Sequence, residues 1–258
     1  MSETQRAEAS QPRGVMLVGH GTRDPVGTHQ FFQLGERLSQ TLAPVPVESC
    51  LLEFQHPTIP DAWRSLVQRG VRHIHVAPLL LFAAGHAKQD IPNVLRACQR
   101  QTPAVTFDQS RPISRGVELV QLVQKRIAAA LSGAGLNATE STALVMVGRG
   151  NRDPCAQADM HVLTEVVAHR FGFGGAFTAF YAMANPSLTD VLDDVAQCDR
   201  FSTIVVHPHL LFEGRLFEAI RGKVEQAADR HPQVGFHLGN YLGPEMEIAR
   251  AIAARLRA

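Results

Sequence analysis

Two histidines in this chain stand where a side chain can do chemistry. His20 sits between Gly19 and Gly21, and His86 follows Gly85 after the apolar run Leu79-Leu80-Leu81-Phe82-Ala83-Ala84. Glycines permit a tight turn and a close approach of a ligand to the backbone. Imidazoles titrate near neutrality, so either can accept a proton from a weakly acidic N–H or offer a nitrogen to a metal. With the carboxylate of Glu53 they can hold a divalent first-row ion without closing its shell, so that the ion can pass to another ligand. His56, just before Pro57, is a further candidate ligand or a neighbour of a helix cap. A cap is also the competing reading for His20. His73 and His75 alternate along an apolar stretch and read as packed strand residues. His207 and His209 face one side if their strand continues past Pro208, and an accessory metal or carboxylate contact is then open to them.

The chain is written twice. Val18-Gly19-His20-Gly21-Thr22-Arg23-Asp24-Pro25 returns 129 residues later as Val147-Gly148-Arg149-Gly150-Asn151-Arg152-Asp153-Pro154. The same offset pairs Pro57 with Pro186, Gly85 with Gly214, Pro103 with Pro232 and Val105 with Val234. An offset kept through separated blocks means two copies of one domain. His20 becomes Arg149 and His86 becomes Arg215. A histidine that one copy does without is not needed for the fold, which makes it a candidate for chemistry.

The elements that must position these groups follow from the apolar pattern. Strands are predicted at 14–19, 45–53, 71–77 and 104–107. Helices are predicted at 28–42, 59–69, 88–101 and 116–131, with a long loop over 78–87. The second copy repeats the plan, with strands near 143–148, 176–181, 203–207 and 234–238. Alternation of this kind implies an α/β fold: two tandem domains, each a mainly parallel sheet with helices on both faces. The expected divisions are a polar tail over 1–13, a first domain over 14–131, a Gly/Ala-rich linker over 132–141 and a second domain over 142–258. Ligands of such sheets bind beyond the carboxyl ends of the strands. His20, Glu53, His86 and the pair Arg111 and Arg115 follow four successive strands, and so should converge on one rim. The apolar 78–87 loop suits the wall of a cleft for a large planar ligand. Arg23, Arg111, Arg115, Arg149, Arg152 and Arg215 could flank that cleft and fork onto carboxylates. Lys88 opens the third helix beside the same loop.

Composition narrows the class. A formal charge of +1 gives no support for a general nucleic-acid binder. No apolar run approaches the roughly 20 residues that span a membrane, and the first 13 residues lack a hydrophobic signal core, so a cytoplasmic protein is expected. Cys50, Cys98, Cys155 and Cys198 lie far apart with no CxxC pair, which excludes iron–sulfur spacing.

At this point the motifs resemble those of the sirohydrochlorin chelatases of the CbiX and SirB type. Residues 18–25 resemble the first family motif, Leu52-Glu53-Phe54-Gln55-His56-Pro57-Thr58-Ile59-Pro60 the middle one, and Leu81-Phe82-Ala83-Ala84-Gly85-His86-Ala87-Lys88-Gln89-Asp90-Ile91-Pro92 the third and most specific. Gly148-Arg149-Gly150-Asn151-Arg152-Asp153-Pro154 and Leu211-Phe212-Glu213-Gly214-Arg215-Leu216 are similar to the degenerate half of the long members. The resemblance covers almost all the chain after residue 13. It implies a class II chelatase that works without ATP and inserts Co(II) or Fe(II), with Ni(II) a further option, into sirohydrochlorin, a ring carrying eight carboxylates. That activity belongs to cobalamin or siroheme biosynthesis. The metal would be a substrate, with no permanent organic cofactor. His20 and His86 would correspond to the two catalytic histidines, Glu53 to the acid closing the middle strand, and the two domains would face each other across a cleft. Two fused copies could supply both walls, which is compatible with a monomer. The chain departs from the pattern at His56, where many relatives carry an acid, and at His207, usually apolar. It has neither a histidine-rich tail nor a C-terminal iron–sulfur motif.

Other readings compete. Gly19-His20-Gly21-Thr22 echoes the Arg-His-Gly motif of histidine phosphatases, but Gly19 stands in place of the arginine. No GxGxxG follows the first strand, against a dinucleotide fold. A non-catalytic tetrapyrrole or metal carrier with the same cleft remains the alternative, and turnover separates it from a chelatase.

Overall fold

The computed structural model describes residues 12–82 and 89–256. His86 and Lys88, both expected at the site, therefore lie outside the described residues, as does most of the N-terminal tail. Two four-stranded sheets are present, each wholly parallel, in the orders β2-β1-β3-β4 and β6-β5-β7-β8. The first comprises β1 (Arg13–Gly19), β2 (Val47–Leu51), β3 (His73–Pro78) and β4 (Thr106–Gln109). The second comprises β5 (Thr142–Gly148), β6 (Gly175–Phe180), β7 (Thr203–Pro208) and β8 (Gly235–Leu238). The helices are α1 (Pro25–Leu42), α2 (Ile59–Gln68), α3 (Ile91–Gln101), α4 (Val117–Gly133), α5 (Pro154–Ala168), α6 (Leu188–Ala196), α7 (Arg215–Arg230) and α8 (Met246–Arg255). The tandem α/β reading thus holds, with element ends within a few residues of expectation.

A strand covered on both faces must be apolar throughout. β5 is buried at all seven positions and β1 at six of seven. On one face of the first sheet Met16, Val18, Ile74 and Val76 pack with Trp63 and Leu66 of α2 and Leu95 of α3. In the second sheet Val145, Val147, Ile204 and Val206 pack with Leu192 of α6 and Ile220 of α7.

The repeat and the compact units do not share boundaries. Unit 1 takes in residues up to Ser114 and then Ile248 onward; unit 2 runs from Arg115 to Glu247. The closing helix of the first repeat, α4, therefore packs within unit 2. The cause is its apolar stripe. Leu119, Leu122, Val123, Ile127 and Leu131 are buried, and α4 packs on α5, β7 and β8. Arg126 of α4 also donates to the Leu242 carbonyl at 2.6 Å and to Glu245 at 2.7 Å. Most of α8 belongs to unit 1, where Ile248, Ala251 and Ile252 are buried and Arg255 donates to the Ile113 carbonyl at 3.4 Å.

The offset of 129 is also not constant. Val15 pairs with His75, and Leu144, its equivalent, pairs with Val205. The third strands therefore correspond at an offset of 130, through one extra residue in the second copy before β7. His207 and His209 then occupy the places of Ala77 and Leu79.

Among the described residues no helix is long and apolar enough to cross a membrane.

Candidate functional site

In unit 1 the order of the strands reverses direction between β1 and β3, the point at which open α/β sheets bind ligands. His20 follows β1 there. Its loop is laced to the loop after β2 by main-chain hydrogen bonds: the Leu52 N–H donates to the Gly19 carbonyl at 2.9 Å and the Glu53 N–H to the His20 carbonyl at 3.0 Å. Gly21 makes the close approach possible. It holds φ +94°, and a Cβ placed on it would run into the Glu53 carbonyl oxygen. The His20 turn thus brings Glu53 alongside through backbone hydrogen bonds.

Asp24 and Pro25, which close the first motif, have a structural role. Asp24 caps α1, accepting from the Val26 N–H at 2.9 Å, and Pro25 fills the first turn, where its missing N–H costs nothing. Thr28 ties α1 to the β2 loop by donating to Gln55 Oε1 at 2.9 Å.

Sequence reasoning does not single out Phe54, and the structure does. Its φ of 70° is rare for an aromatic residue, and the residue is 53% exposed. The ring stands edge-on to His20, 6.2 Å between centroids, with the Arg23 guanidinium 5.1 Å above it. An exposed ring in strained backbone, against the site histidine, offers a face for a planar ligand. The one sequence signal was its place in the middle motif, next to Glu53.

His56 goes elsewhere. Its Nδ1 lies 3.0 Å from Asp61 Oδ2, and Asp61 is the acidic partner in the capping box of α2 with Thr58. Hydrogen bonds from Thr58 and from His56 hold the Asp61 carboxyl well below the usual carboxylate range. His20, Glu53 and His56 do not bring ligand atoms together into a metal-sized group among the described residues.

Unit 2 keeps the backbone of this site without its histidine. Gly150 holds φ +91° against the Ala182 carbonyl, and the Ala182 N–H donates to the Arg149 carbonyl at 2.9 Å. Met183, with φ 60°, takes the place of Phe54, and Asp153 caps α5 by accepting from the Cys155 N–H at 3.0 Å. Arg149 and Arg152 are exposed on this rim. Arg215 is exposed at the first position of α7, where the helix dipole disfavours a cation, so folding alone does not ask for it. Arg115 is engaged at 3.0 Å with Asp159 of α5. Arg111 lines a separate pocket with His75, Asp108 and Arg255. His207 and His209, in unit 2, are buried.

Fold and site together define a class: an α/β protein of two tandem parallel sheets, with a histidine at the strand-end switch of one copy and an arginine in its place in the other. The CbiX family model matches residues 14–130 and again 143–258, and the chain belongs to that family. It is 30% identical to a sirohydrochlorin ferrochelatase of Priestia megaterium over 94% of this chain and 89% of the relative. It is 30% identical to a sirohydrochlorin cobaltochelatase of the same organism over 90% of this chain and 74% of the relative. Among solved structures, SirB from Bacillus subtilis with Fe3+ aligns with a TM-score of 0.85 at 26% identity, covering 95% of this chain and 94% of the other. SirB from B. subtilis subspecies spizizenii in complex with cobalt aligns with a TM-score of 0.78, at the same identity and coverage.

Proposed function

We propose that this chain is a sirohydrochlorin chelatase that inserts a divalent metal, Co(II) or Fe(II), into the macrocycle without ATP, in the cytoplasm. The observation that carries the reading is the paired loop geometry of the two units: the same glycine turn and carbonyl contact, with His20 in one and Arg149 in the other. Full-length relatives named as cobalto- and ferrochelatases support the substrate.

The chemistry follows from the donors. A planar macrocycle hides its nitrogen lone pairs, and a site that bends it, using binding energy from peripheral carboxylates, would expose them. Guanidinium groups at Arg23, Arg149, Arg152 and Arg215 suit those carboxylates, and the Phe54 face suits the ring plane. His20 and His86 would guide the ion and accept the displaced pyrrole protons, with Glu53 beside them. Binding of the ion by so few ligands stays weak enough for transfer.

The test is anaerobic metallation of sirohydrochlorin with Co(II), Fe(II) and Ni(II), followed by absorbance. Many metallated rings per protein are expected. Stoichiometric binding without turnover would mean a carrier.

A further inference from the structure

A cluster of side chains of metal-ligating type, His73, His75 and Asp108, lies away from His20. His73 and His75 project from one face of β3, and Asp108 from the same face of β4, where it pairs in register with His75. Their ligand atoms all lie within 4.8 Å of one another, the one such group of three among the described residues. His75 Nδ1 is 2.6 Å from Asp108 Oδ1 and His73 Nε2 is 3.5 Å from Oδ2. Two donors on a tetrahedral ion at about 2.1 Å sit about 3.4 Å apart, so a small rotation of the exposed Asp108 carboxylate suffices.

Hydrogen-bonding groups brace His73. Thr106 Oγ1 lies 2.8 Å from His73 Nδ1 and 3.4 Å from the Arg72 carbonyl. That contact leaves His73 Nε2 turned toward the Asp108 carboxylate. Thr106 plays the part that an outer hydrogen-bond partner plays for a metal-bound histidine. Folding does not require the trio, because in the same strand register unit 2 has Thr203, Val205 and His237.

We infer that His73, His75 and Asp108 form a second, exchangeable site for one divalent first-row metal ion, separate from the His20 site. Two imidazoles and one carboxylate suit Co(II), Ni(II), Zn(II) or Fe(II), with the remaining positions open. Val15, the register partner of His75, is five residues before His20, or roughly 17 Å along β1 at about 3.3 Å per residue. The cluster opens on a pocket of about 460 Å³ whose other wall carries Arg111 and Arg255. Those guanidiniums would attract a small anion beside the bound ion.

The experiment titrates Co(II) alone, without oxygen, into the full chain carrying His20→Ala and His86→Ala, which removes the other histidine set. One Co(II) per chain is expected, with a visible d–d spectrum and a Kd below about 100 μM. Adding His73→Thr and His75→Val, the residues that unit 2 carries at the same strand positions, should abolish that binding while the chain stays folded by circular dichroism. Thr106→Val should weaken it about tenfold or more. No Co(II) binding below about 1 mM in the His20/His86 background overturns the proposal. So does binding that survives the His73/His75 replacements or Asp108→Asn.

Discussion

His207 and His209 give unit 2 an acid-sensitive core. Both are fully buried, and burial pushes the His207 pKa down from 6.5 to about 3, helped by nearby His209 and Arg126. Burial alone pushes His209 down to about 4. Neither ring nitrogen of His207 has a hydrogen-bond partner among the described residues. The sign follows from linkage. Between the two sets of pKa values the unfolded chain binds protons that the folded chain refuses, so stability is complete above pH 6.5 and falls with acid until the folded values are reached. At pH 5 both rings are still neutral in the fold. Each then costs about 2 kcal/mol relative to neutral pH, and the pair about 4 kcal/mol. The comparison variant is His207→Ala with His209→Leu, which installs the residues that unit 1 carries at the same strand positions, Ala77 and Leu79. Urea unfolding at pH 7.5 and pH 5 measures the difference. Unit 2 can be followed alone, because both tyrosines, Tyr181 and Tyr241, lie in it, whereas the single tryptophan, Trp63, lies in unit 1. The variant should lose less stability than the parent on acidification, by about 4 kcal/mol in the tyrosine-monitored transition. Equal losses in the two proteins would refute the reasoning.

His20→Ala or His86→Ala should remove most sirohydrochlorin metallation with little change in melting temperature; near-normal initial rates in both variants under limiting metal would contradict the catalytic assignment. Arg149→Ala and Arg215→Ala should instead raise the KM for sirohydrochlorin, since an arginine is neither a neutral base nor an ordinary ligand at pH 7; unchanged affinity in both would sink that division of labour. Gly21→Ala should destabilise unit 1 by about 2 kcal/mol or more, from the positive φ and the collision with the Glu53 carbonyl, and should lower activity with it. Asp24→Ala should cost about 1 kcal/mol through the lost α1 cap, as measured by thermal unfolding of unit 1, with Asp153→Ala giving the same loss in unit 2.

The sequence by itself determined the repeat, the α/β class, the parallel sheets and the contrast of His20 with Arg149. These are legible because buried parallel strands must be continuously apolar, and because Asp-Pro caps depend on neighbouring residues alone. What depends on partners distant in the chain was decided only by the tertiary structure. Helix α4 closes the first repeat in sequence yet buries its apolar stripe on the second sheet, since an amphipathic face does not specify which sheet it covers. One added residue before β7 shifts the third strand to an offset of 130, which strand pairing makes plain, and so seats His207 in a core position. His56 reads either as a metal ligand beside Glu53 or as a neighbour of a helix cap, and its contact with Asp61 in the capping box of the next helix is of the second kind. Phe54 looks like an ordinary apolar residue until its positive φ turns it out against His20. His73 and His75 read as packed strand residues because their third partner, Asp108, comes from another strand, 33 residues later. Alternation along a strand says which side chains share a face, whereas strand pairing alone says what stands opposite them.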